Sequence, residues 1–287
     1  MYPKLFEIPK IGPIGPITVH SFGVMMVIAF AASLWVARTR APKFGIDSNK
    51  MTDAGFWALV AGVLGASVVF ILQDLPYYLA HKDELFSIQF QGLTSFGGLI
   101  FAVIALAVWA RKAGVPMARL FDVCAPAYGV GYILGRVGCL LNGCCYGTVC
   151  SPDFFLATHF GRMSDPHHPA QLYDAGMNIL ALGALFWLER RGLKMGQAAA
   201  FYLAAHGVAR FIYEFWRAGT VEEVKLGIAS STRMGTLPFT EAQVVAFALV
   251  LVGIVWFFCS KGNPDEFPPA PVPSEPTPDP IQESAAA

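Results

Sequence analysis

The chain has 287 residues, of which 55% are hydrophobic and 14% are charged, and its formal net charge is zero. An average soluble domain carries about 25% charged residues, so this composition excludes an ordinary soluble domain and indicates a membrane protein. A net charge of zero gives no electrostatic support for nucleic-acid binding, and no nucleic-acid partner is expected.

Seven apolar segments each approach the roughly 20 residues needed to cross a bilayer. They predict an all-α, polytopic membrane protein with about seven transmembrane helices. The segments cover residues 17–37, 54–72, 92–110, 120–141, 172–188, 196–216 and 240–259. We expect residues 1–260 to form a single transmembrane domain. Residues 261–287, rich in Pro, Ser and Glu, are expected to form a disordered cytoplasmic tail.

The lysines and arginines between the segments predict the orientation. Eleven of them follow the first, third, fifth and seventh segments, and seven lie on the other side. The positive-inside rule therefore places the N-terminus outside and the C-terminus in the cytoplasm. With this orientation, residues 142–171 form an external loop.

Residues 135–147 combine one arginine, one asparagine, three cysteines and four glycines. Arg136 lies within an apolar segment, where a charge costs about 2.5–3.5 kcal/mol on insertion scales, so it is a candidate functional residue. The guanidinium fork matches the oxygens of a phosphate, and nearby glycines let a ligand approach the backbone.

A second group of polar residues occupies the sixth apolar segment. Helical spacing places His206, Arg210 and Glu214 on one face, and Arg217 joins the same stripe. One interpretation is an ion pair that neutralises Arg210 and Glu214. We favour a polar cavity, since charges in membrane spans usually line cavities or pathways. Arg136 and Arg210 with only one nearby carboxylate leave excess positive charge, which suits an anionic headgroup.

Three further polar residues lie near the start of the fifth segment: His168, Gln171 and Tyr173. Helix capping and interfacial packing are more expected of Tyr173 than catalysis. Gly97 and Gly98, in the third segment, suit either close helix packing or lipid contact. Residues 61–66 are similarly rich in small residues and predict close helix packing.

Five sequence elements, taken in order, resemble the bacterial prolipoprotein diacylglyceryl transferases over nearly the whole apolar region. They are His20-Ser21-Phe22-Gly23, Thr94-Ser95-Phe96-Gly97-Gly98, Gly135-Arg136-Val137-Gly138-Cys139-Leu140-Leu141-Asn142-Gly143, His168-Pro169-Ala170-Gln171-Leu172-Tyr173 and Arg210-Phe211-Ile212-Tyr213-Glu214-Phe215-Trp216-Arg217. The corresponding family elements include Ser-Phe-His-Gly-Gly, Gly-Arg-Ile-Gly-Asn-Phe-Ile-Asn-Gly-Glu, His-Pro-Ser-Gln-Leu-Tyr and Arg-Phe-x-x-Glu-Phe-x-Arg.

The resemblance implies a multi-pass transferase of the bacterial inner membrane with its active site toward the periplasm. Such an enzyme moves the diacylglyceryl group of phosphatidylglycerol onto the lipobox cysteine thiol of a preprolipoprotein, and glycerol phosphate leaves. The implied partners are phosphatidylglycerol, the lipobox of the signal peptide and membrane lipid, with no cofactor. Arg136 and Arg210 would hold the phosphate and stabilise the leaving group. The implied substrate-binding residues are Asn142, Gly143, Glu214, Arg217, Gly97, Gly98, His168, Gln171 and Tyr173.

Several partner groups of the family pattern are changed here. Phe96 replaces the family's histidine, Phe22 its tyrosine, Cys139 its asparagine and Cys144 its glutamate. Three possibilities follow: the base role passes to His206, no side-chain base is needed, or the transferase activity is altered. In the last case the chain binds anionic lipid or modifies a different acceptor.

The external loop brings several cysteines together in the pattern Cys139-x4-Cys144-Cys145-x4-Cys150. Because disulfides persist at an oxidising surface, we expect a bridge between Cys145 and Cys150 or between Cys144 and Cys150. Free thiols are the next possibility. The spacing is not a standard zinc pattern, so no metal site is predicted. A thiol-redox membrane protein using Cys144 and Cys145 is the third functional hypothesis.

Overall fold

The computed structural model describes residues 4–8, 17–73, 75–81, 94–160, 163–235 and 237–261, and these residues are mainly helical. The helices are α1 (Ser21–Arg40), α2 (Ser48–Gln73), α3 (Leu75–Ala80), α4 (Ser95–Ala113), α5 (Met117–Asn142), α6 (Ala170–Glu189), α7 (Gln197–Tyr213), α8 (Val221–Lys225) and α9 (Glu241–Cys259). Short 3-10 helices cover Ala41–Phe44 and Glu214–Trp216. The mainly helical, membrane-type fold is thereby confirmed.

Each of the seven apolar segments contains one long helix within the described residues. Four helices are long and apolar enough to cross a membrane: α1 with the 3-10 turn that follows it, α2, α5 and α9. Membrane crossing by α4, α6 and α7 stays a prediction, as does the orientation of the termini. The sixth segment, predicted at residues 196–216, consists of α7, which ends at Tyr213, and the 3-10 turn Glu214–Trp216 that follows it.

The chain forms two compact units. Among the described residues, one unit comprises those up to 37 and those from 118 to 261, and the other comprises those from 38 to 117. The single domain expected from the sequence stays a prediction. The predicted disordered tail lies outside the described residues, apart from Lys261.

In the second unit, α2 packs against α4 through glycines. A Cβ atom on Gly65 would overlap the Phe101 side chain, and one on Gly97 would overlap the backbone of Gly65 and the side chain of Val69. Thr94 Oγ1 donates a hydrogen bond to the carbonyl oxygen of Ala66 at 2.9 Å. The close packing predicted for residues 61–66 is therefore confirmed, since a side chain on Gly65 would push the helices apart.

In the first unit, a core of four alanines, a leucine and a tyrosine joins α5, α6 and α7. It contains Leu185, Tyr202 and four buried alanines: Ala125, Ala181, Ala198 and Ala199. Asp122 of α5 accepts hydrogen bonds from the backbone N–H groups of Gly196 and Ala199, at 2.5 and 2.9 Å. A carboxylate at these free N–H groups caps α7 and complements its helix dipole. Asp122 thus fixes α7 against α5, which positions the polar residues on both helices.

The strands are short. Strand β1 (Lys4–Ile8) pairs antiparallel with β2 (Ile17–His20), and β3 (Ala218–Gly219) pairs in parallel with β4 (Ser231–Thr232). The chain between α5 and α6 bonds to the segment after α7 instead of forming a sheet. For example, the N–H of Thr148 bonds to the carbonyl of Trp216 at 2.6 Å. These contacts hold the ends of α5, α6 and α7 together at the site.

Candidate functional site

The site begins with a polar stripe along α5. Tyr128, Tyr132 and Arg136 are four residues apart and therefore share one face of the helix. The centroids of the two tyrosine rings lie 5.8 Å apart, and the Arg136 guanidinium lies 4.8 Å from the Tyr132 ring centroid. Arg136 lies six residues before the helix end at Asn142, which is about 9 Å along the axis.

Arg136 is paired with a buried carboxylate that the sequence analysis did not single out. Its Nε lies 2.6 Å from Oδ2 of Asp174, whose side chain is fully buried. This contact is an ion pair without hydrogen-bond geometry at Nε. The Nη2 group of Arg136 donates to the hydroxyls of Tyr132 and Tyr213, and Tyr132 in turn donates to Asp174 Oδ2 at 2.6 Å.

The network continues from Asp174 through Asn178 to His206. The amide nitrogen of Asn178 donates to Asp174 Oδ1 at 2.9 Å, which leaves Asn178 Oδ1 as an acceptor. That oxygen lies 2.8 Å from His206 Nδ1, so Nδ1 carries the donated hydrogen. His206 Nε2 then faces the Tyr128 hydroxyl at 3.4 Å. His206 is only 8% exposed, and both its ring nitrogens are directed at protein groups.

Three guanidinium groups converge on the ring of Tyr213, which is fully buried. The guanidinium carbons of Arg136, Arg210 and Arg217 lie 5.1, 4.6 and 5.5 Å from its centroid. Each distance is within the range in which a cation is attracted to an aromatic face. The Tyr213 hydroxyl also accepts a hydrogen bond from Arg217 Nη1 at 2.9 Å. Tyr213 therefore brings together arginines from α5 and from both sides of the end of α7.

Glu214 is shared between two of these arginines. Its Oε2 lies 3.2 Å from Arg217 Nη1 and 3.6 Å from Arg210 Nη1. Arg210 has the most exposed side chain of the three arginines, at 20%, and its buried Nη1 makes no hydrogen bond. The Oε1 atom of Glu214 is also buried without a hydrogen-bond partner. Such atoms leave unused bonding capacity on Arg210 and Glu214, as they do at Arg136 Nε.

The sequence predicts one carboxylate near Arg136 and Arg210, and this prediction is wrong. Asp174 pairs with Arg136, while Glu214 pairs with Arg210. Because Arg217 also joins the group, three cations face two carboxylates. A formal excess of one positive charge therefore remains around Tyr213.

The chain leaves α5 through a tight turn at Gly143. Gly143 has φ +76°, and its N–H bonds to the carbonyl of Leu140, while the N–H of Cys144 bonds to the carbonyl of Cys139. These two bonds form a Schellman motif with Asn142 as the helix cap. The side chain of Gln171, fully buried, donates to the Cys144 carbonyl at 2.5 Å. Gly143 and Gln171 thus shape this turn, and their predicted contact with substrate stays a prediction.

His168 and Tyr173 lie beside each other where α6 begins. His168 Nδ1 lies 3.0 Å from the Tyr173 hydroxyl, and the Tyr173 ring packs edge-on against Trp216 with centroids 5.1 Å apart. Partial burial lowers the pKa of His168, with a further contribution from the charge of His167. This cluster agrees with the interfacial packing expected for Tyr173.

All six cysteines are free thiols in this structure. The expected bridges from Cys150 to Cys144 or Cys145 are not formed. Instead the sulfur atoms of Cys139, Cys144 and Cys145 lie within 4.8 Å of one another. The turn at Gly143 brings Cys144 back over Cys139, which sequence spacing alone did not reveal.

Gly97, Gly98, Phe96 and Phe22 occupy further positions of the family pattern. Gly97 and Gly98 belong to the second unit, where they pack against α2. Their predicted role in substrate binding stays a prediction, as does any role of Phe96, whose side chain lies outside the described part. Phe22 packs near Gly138 of α5 and is 36% exposed.

Sequence reasoning missed several members of the network. They are Tyr128, Tyr132, Asp174, Asn178, Tyr213 and Tyr202, whose hydroxyl donates to Asn178 Oδ1 at 3.2 Å. A usable signal was present, because Tyr128, Tyr132 and Arg136 are spaced by four residues, as are Asp174 and Asn178. Polar pairs at that spacing within apolar helices indicate a buried hydrogen-bonded face.

The apolar helices and the arginine-rich network between them define a helical membrane protein with a buried, positively charged polar site. The chain matches the profile of the prolipoprotein diacylglyceryl transferase family over residues 9–259, and it belongs to this family. It is therefore a transferase.

The chain is similar to proteins named phosphatidylglycerol–prolipoprotein diacylglyceryl transferase, three of which serve as examples. The one from Verminephrobacter eiseniae is 35% identical over 227 residues, covering 73% of this chain and 82% of the relative. The one from Bordetella avium is 31% identical over 223 residues, covering 74% and 84%. The one from Geobacter sulfurreducens is 30% identical over 257 residues, covering 86% and 95%.

Proposed function

We propose that this chain transfers the diacylglyceryl group of phosphatidylglycerol to the lipobox cysteine thiol of preprolipoproteins, releasing glycerol phosphate. The observation that carries the proposal is the set of three guanidinium groups around Tyr213, opposed by two carboxylates. An excess cation in a low-dielectric site binds a phosphate and stabilises the negative charge that develops on it as it leaves. Family membership and the names of the relatives support the same reaction.

The contacts of the three arginines indicate a different role for each. Arg210 has the most exposed side chain and an unsatisfied Nη1, so it is the proposed direct phosphate ligand. Arg136 is held by Asp174 and two tyrosines, so it supplies a fixed positive charge at the same ring. Arg217 and Glu214 orient Arg210 and join it to the segment after α7. This preorganisation requires little rearrangement when the charge on the leaving group develops.

His206 acts on this site as a positioning residue in our proposal. The hydrogen bond from Nδ1 to Asn178 and the contact of Nε2 with Tyr128 leave no free nitrogen for direct contact with substrate. Replacement by Gln would then lower the rate but keep the shape of the pH–rate profile. A profile that loses its acidic limb would instead assign His206 the base role.

We place the reaction at the external face of the bacterial inner membrane, in a multi-pass protein. The distribution of lysine and arginine supports this side, since the end of α5 and the segment after α7 then face outward. Asn142 and Gly143 at the end of α5, with His168, Gln171 and Tyr173 at the start of α6, would line the approach of the lipobox.

Purified protein given labelled phosphatidylglycerol and a lipobox peptide tests the function. Wild type is expected to lipidate the peptide, and Arg136→Ala and Arg210→Ala are each expected to lose about 10²–10³-fold in kcat, the usual cost of removing a stabiliser of developing charge. Arg191→Ala is the matched control, because Arg191 is exposed at the far end of α6 and contacts Trp187.

The alternative functions predict different outcomes. A protein that only binds anionic lipid would retain phosphatidylglycerol vesicles but transfer nothing, and this outcome would contradict the proposal. A thiol-redox protein would lose activity in Cys144→Ser with dependence on added oxidant, while both arginine variants stayed active. The comparisons do not favour either alternative.

A further inference from the structure

Three thiols converge at the end of α5, beside the arginine network. The sulfur atoms of Cys139, Cys144 and Cys145 lie within 4.8 Å of one another. Cys139 is on the last turn of α5, and Cys144 Sγ lies 3.7 Å from the Cys139 carbonyl oxygen. Thiols from the last turn of α5 and from the turn that follows it therefore line one common space.

The backbone is strained where it delivers the third thiol. Cys145 has φ +61°, and it is the one non-glycine residue with positive φ among the described residues. A left-handed conformation costs an ordinary side chain about 1–2 kcal/mol. Such strain persists where surrounding structure holds it, and it marks functional positions. Here the strain places the Cys145 sulfur against the other two instead of directing it away.

The spacing suits a thiophilic cation. A zinc–sulfur bond is about 2.3 Å long, so three sulfurs around one ion lie about 3.8 Å apart. The observed limit of 4.8 Å requires only small side-chain movements to reach this spacing. All three residues are partly buried, so the space between them is sheltered yet still reachable. No fourth His, Asp or Glu joins the group within the part of the chain described here, so one coordination position is left open.

The surrounding charges suit thiolate ligands. The guanidinium groups of Arg217 and Arg136 interact electrostatically with Cys145, and nearby positive charge favours an anionic sulfur ligand. Three thiolates with one divalent cation carry a net charge of −1.

We propose that Cys139, Cys144 and Cys145 bind one divalent cation of the zinc class as thiolates, and that its open position takes the acceptor cysteine thiol. This role rests on the proposed function. A site with three protein ligands and one open position is the pattern of catalytic zinc, and a coordinated thiol is deprotonated. An unbound thiol has a pKa of about 8.5 and is mostly protonated at neutral pH, so the ion supplies the nucleophile.

The proposed step balances without an oxidant. The acceptor S–H loses its proton to solvent as its sulfur coordinates the ion. That sulfur then attacks the carbon of the diacylglyceryl group that is bonded to the phosphate ester oxygen, so a C–S bond forms and that C–O bond breaks. The bonding electron pair leaves with glycerol phosphate, whose charge the arginines stabilise. The position of Cys139, three residues and one helical turn after Arg136, places nucleophile and leaving-group stabiliser on neighbouring turns.

Metal content tests the site directly. Reduced full-length protein in detergent is equilibrated with Zn²⁺, freed of unbound ion and measured for bound zinc. We expect one ion per chain in wild type, with binding weakened at least tenfold in Cys139→Ala, Cys144→Ala and Cys145→Ala. Cys124→Ala and Cys150→Ala are the matched controls and should bind like wild type. Thermal unfolding of each variant shows that it is folded.

A spectroscopic measurement counts the ligands. Cd²⁺ in place of Zn²⁺ should give a thiolate-to-metal absorption band with the intensity of three thiolates, reduced by about one third in each single variant of the cluster that retains Cd²⁺. Absence of stoichiometric binding by reduced wild type would overturn the proposal. The proposal would also be overturned if the three variants bound the ion like the controls. It would be overturned too if a disulfide re-formed at once within the cluster and prevented the ion from binding.

Peptides separate the acceptor role from mere ion binding. A lipobox peptide with its cysteine should raise the Cd²⁺ band to four thiolates, whereas the peptide with serine in that position should not. An unchanged band with both peptides would overturn the acceptor role. Transfer of labelled lipid by the same preparations distinguishes the two proposals. Full transfer by ion-depleted protein leaves the proposed function intact and removes the ion from it. If the band changes only with the cysteine peptide but no lipid is transferred, the proposed function is contradicted and the proposed ion site stands.

Discussion

Tyr213 shows how one side chain organises a charged site inside an apolar helix bundle. Its ring faces three guanidinium groups, and its hydroxyl accepts hydrogen bonds from Arg136 and Arg217 at 3.2 and 2.9 Å. Buried cations need partners that offset the lost hydration. An aromatic ring offers attraction without neutralising the charge, so the arginines remain available for an anion.

Tyr213→Phe and Tyr213→Leu separate the two contributions of this residue. The Phe variant keeps the ring and loses the hydroxyl. Since hydrogen bonds to charged groups contribute about 1.5–3 kcal/mol, its kcat/KM should fall about tenfold to a hundredfold. The Leu variant also loses the ring and should fall further, as measured in the lipid-transfer assay. Equal losses in the two variants would show that the ring is not required.

Asp174→Asn tests the buried ion pair. Loss of the carboxylate leaves Arg136 buried without its counter-charge, which should cost about 3–5 kcal/mol of stability. The double variant Asp174→Asn with Arg136→Gln removes both charges and should recover part of that loss. Thermal or denaturant unfolding in detergent measures both changes.

The matched control is Asp153→Asn, because Asp153 is exposed in the loop before α6. Its effect should stay within about 0.5 kcal/mol. The two residues would act independently if Arg136→Gln lowered the stability of the Asp174→Asn variant as much as it lowers that of the wild type. The ion pair would then be an incidental contact.

At the scale of the elements, helix ends and glycines set the positions of the functional groups. Asp122 caps α7 from α5, and the Schellman turn at Gly143 ends α5 and returns the chain over Cys139. The 3-10 turn after α7 keeps Glu214 within reach of both Arg210 and Arg217. A regular helix was predicted through these residues, and the actual turn bonds the following segment to the loop before α6.

Gly65→Ala tests the packing of α2 against α4. The new methyl group would overlap the Phe101 side chain, and overpacking of this kind costs about 1–3 kcal/mol. Gly183→Ala in α6 is the matched control, because a Cβ atom there meets nothing within 4 Å. The better helix propensity of alanine should leave that variant unchanged or more stable by up to about 1 kcal/mol. The midpoint of thermal unfolding compares them, and equal midpoints would argue against close packing at Gly65.

At the scale of the whole molecule, the orientation predicted from charge decides which compartment the site faces. Lys261→Cys and Leu226→Cys, each in a chain whose native cysteines are replaced by alanine, test it. Both positions are exposed, with Leu226 at 74%. A membrane-impermeant maleimide applied to intact spheroplasts should label the cysteine at position 226 only. The one at position 261 should react only after the membrane is disrupted. The reverse pattern would place the site in the cytoplasm.

The sequence by itself determined the membrane character, the seven helical segments and the candidate arginines, because hydrophobic runs and charges within them are local properties of the chain. The same locality explains the resemblance, whose motifs each lie within a short stretch. Only the tertiary structure decided that Asp174 balances Arg136 and that Tyr213 gathers three guanidinium groups. It also decided that Cys139, not Cys150, joins Cys144 and Cys145. Those partners come from different helices or from a turn with positive φ, and side-chain directions across such elements are set by packing, which spacing along the chain does not encode.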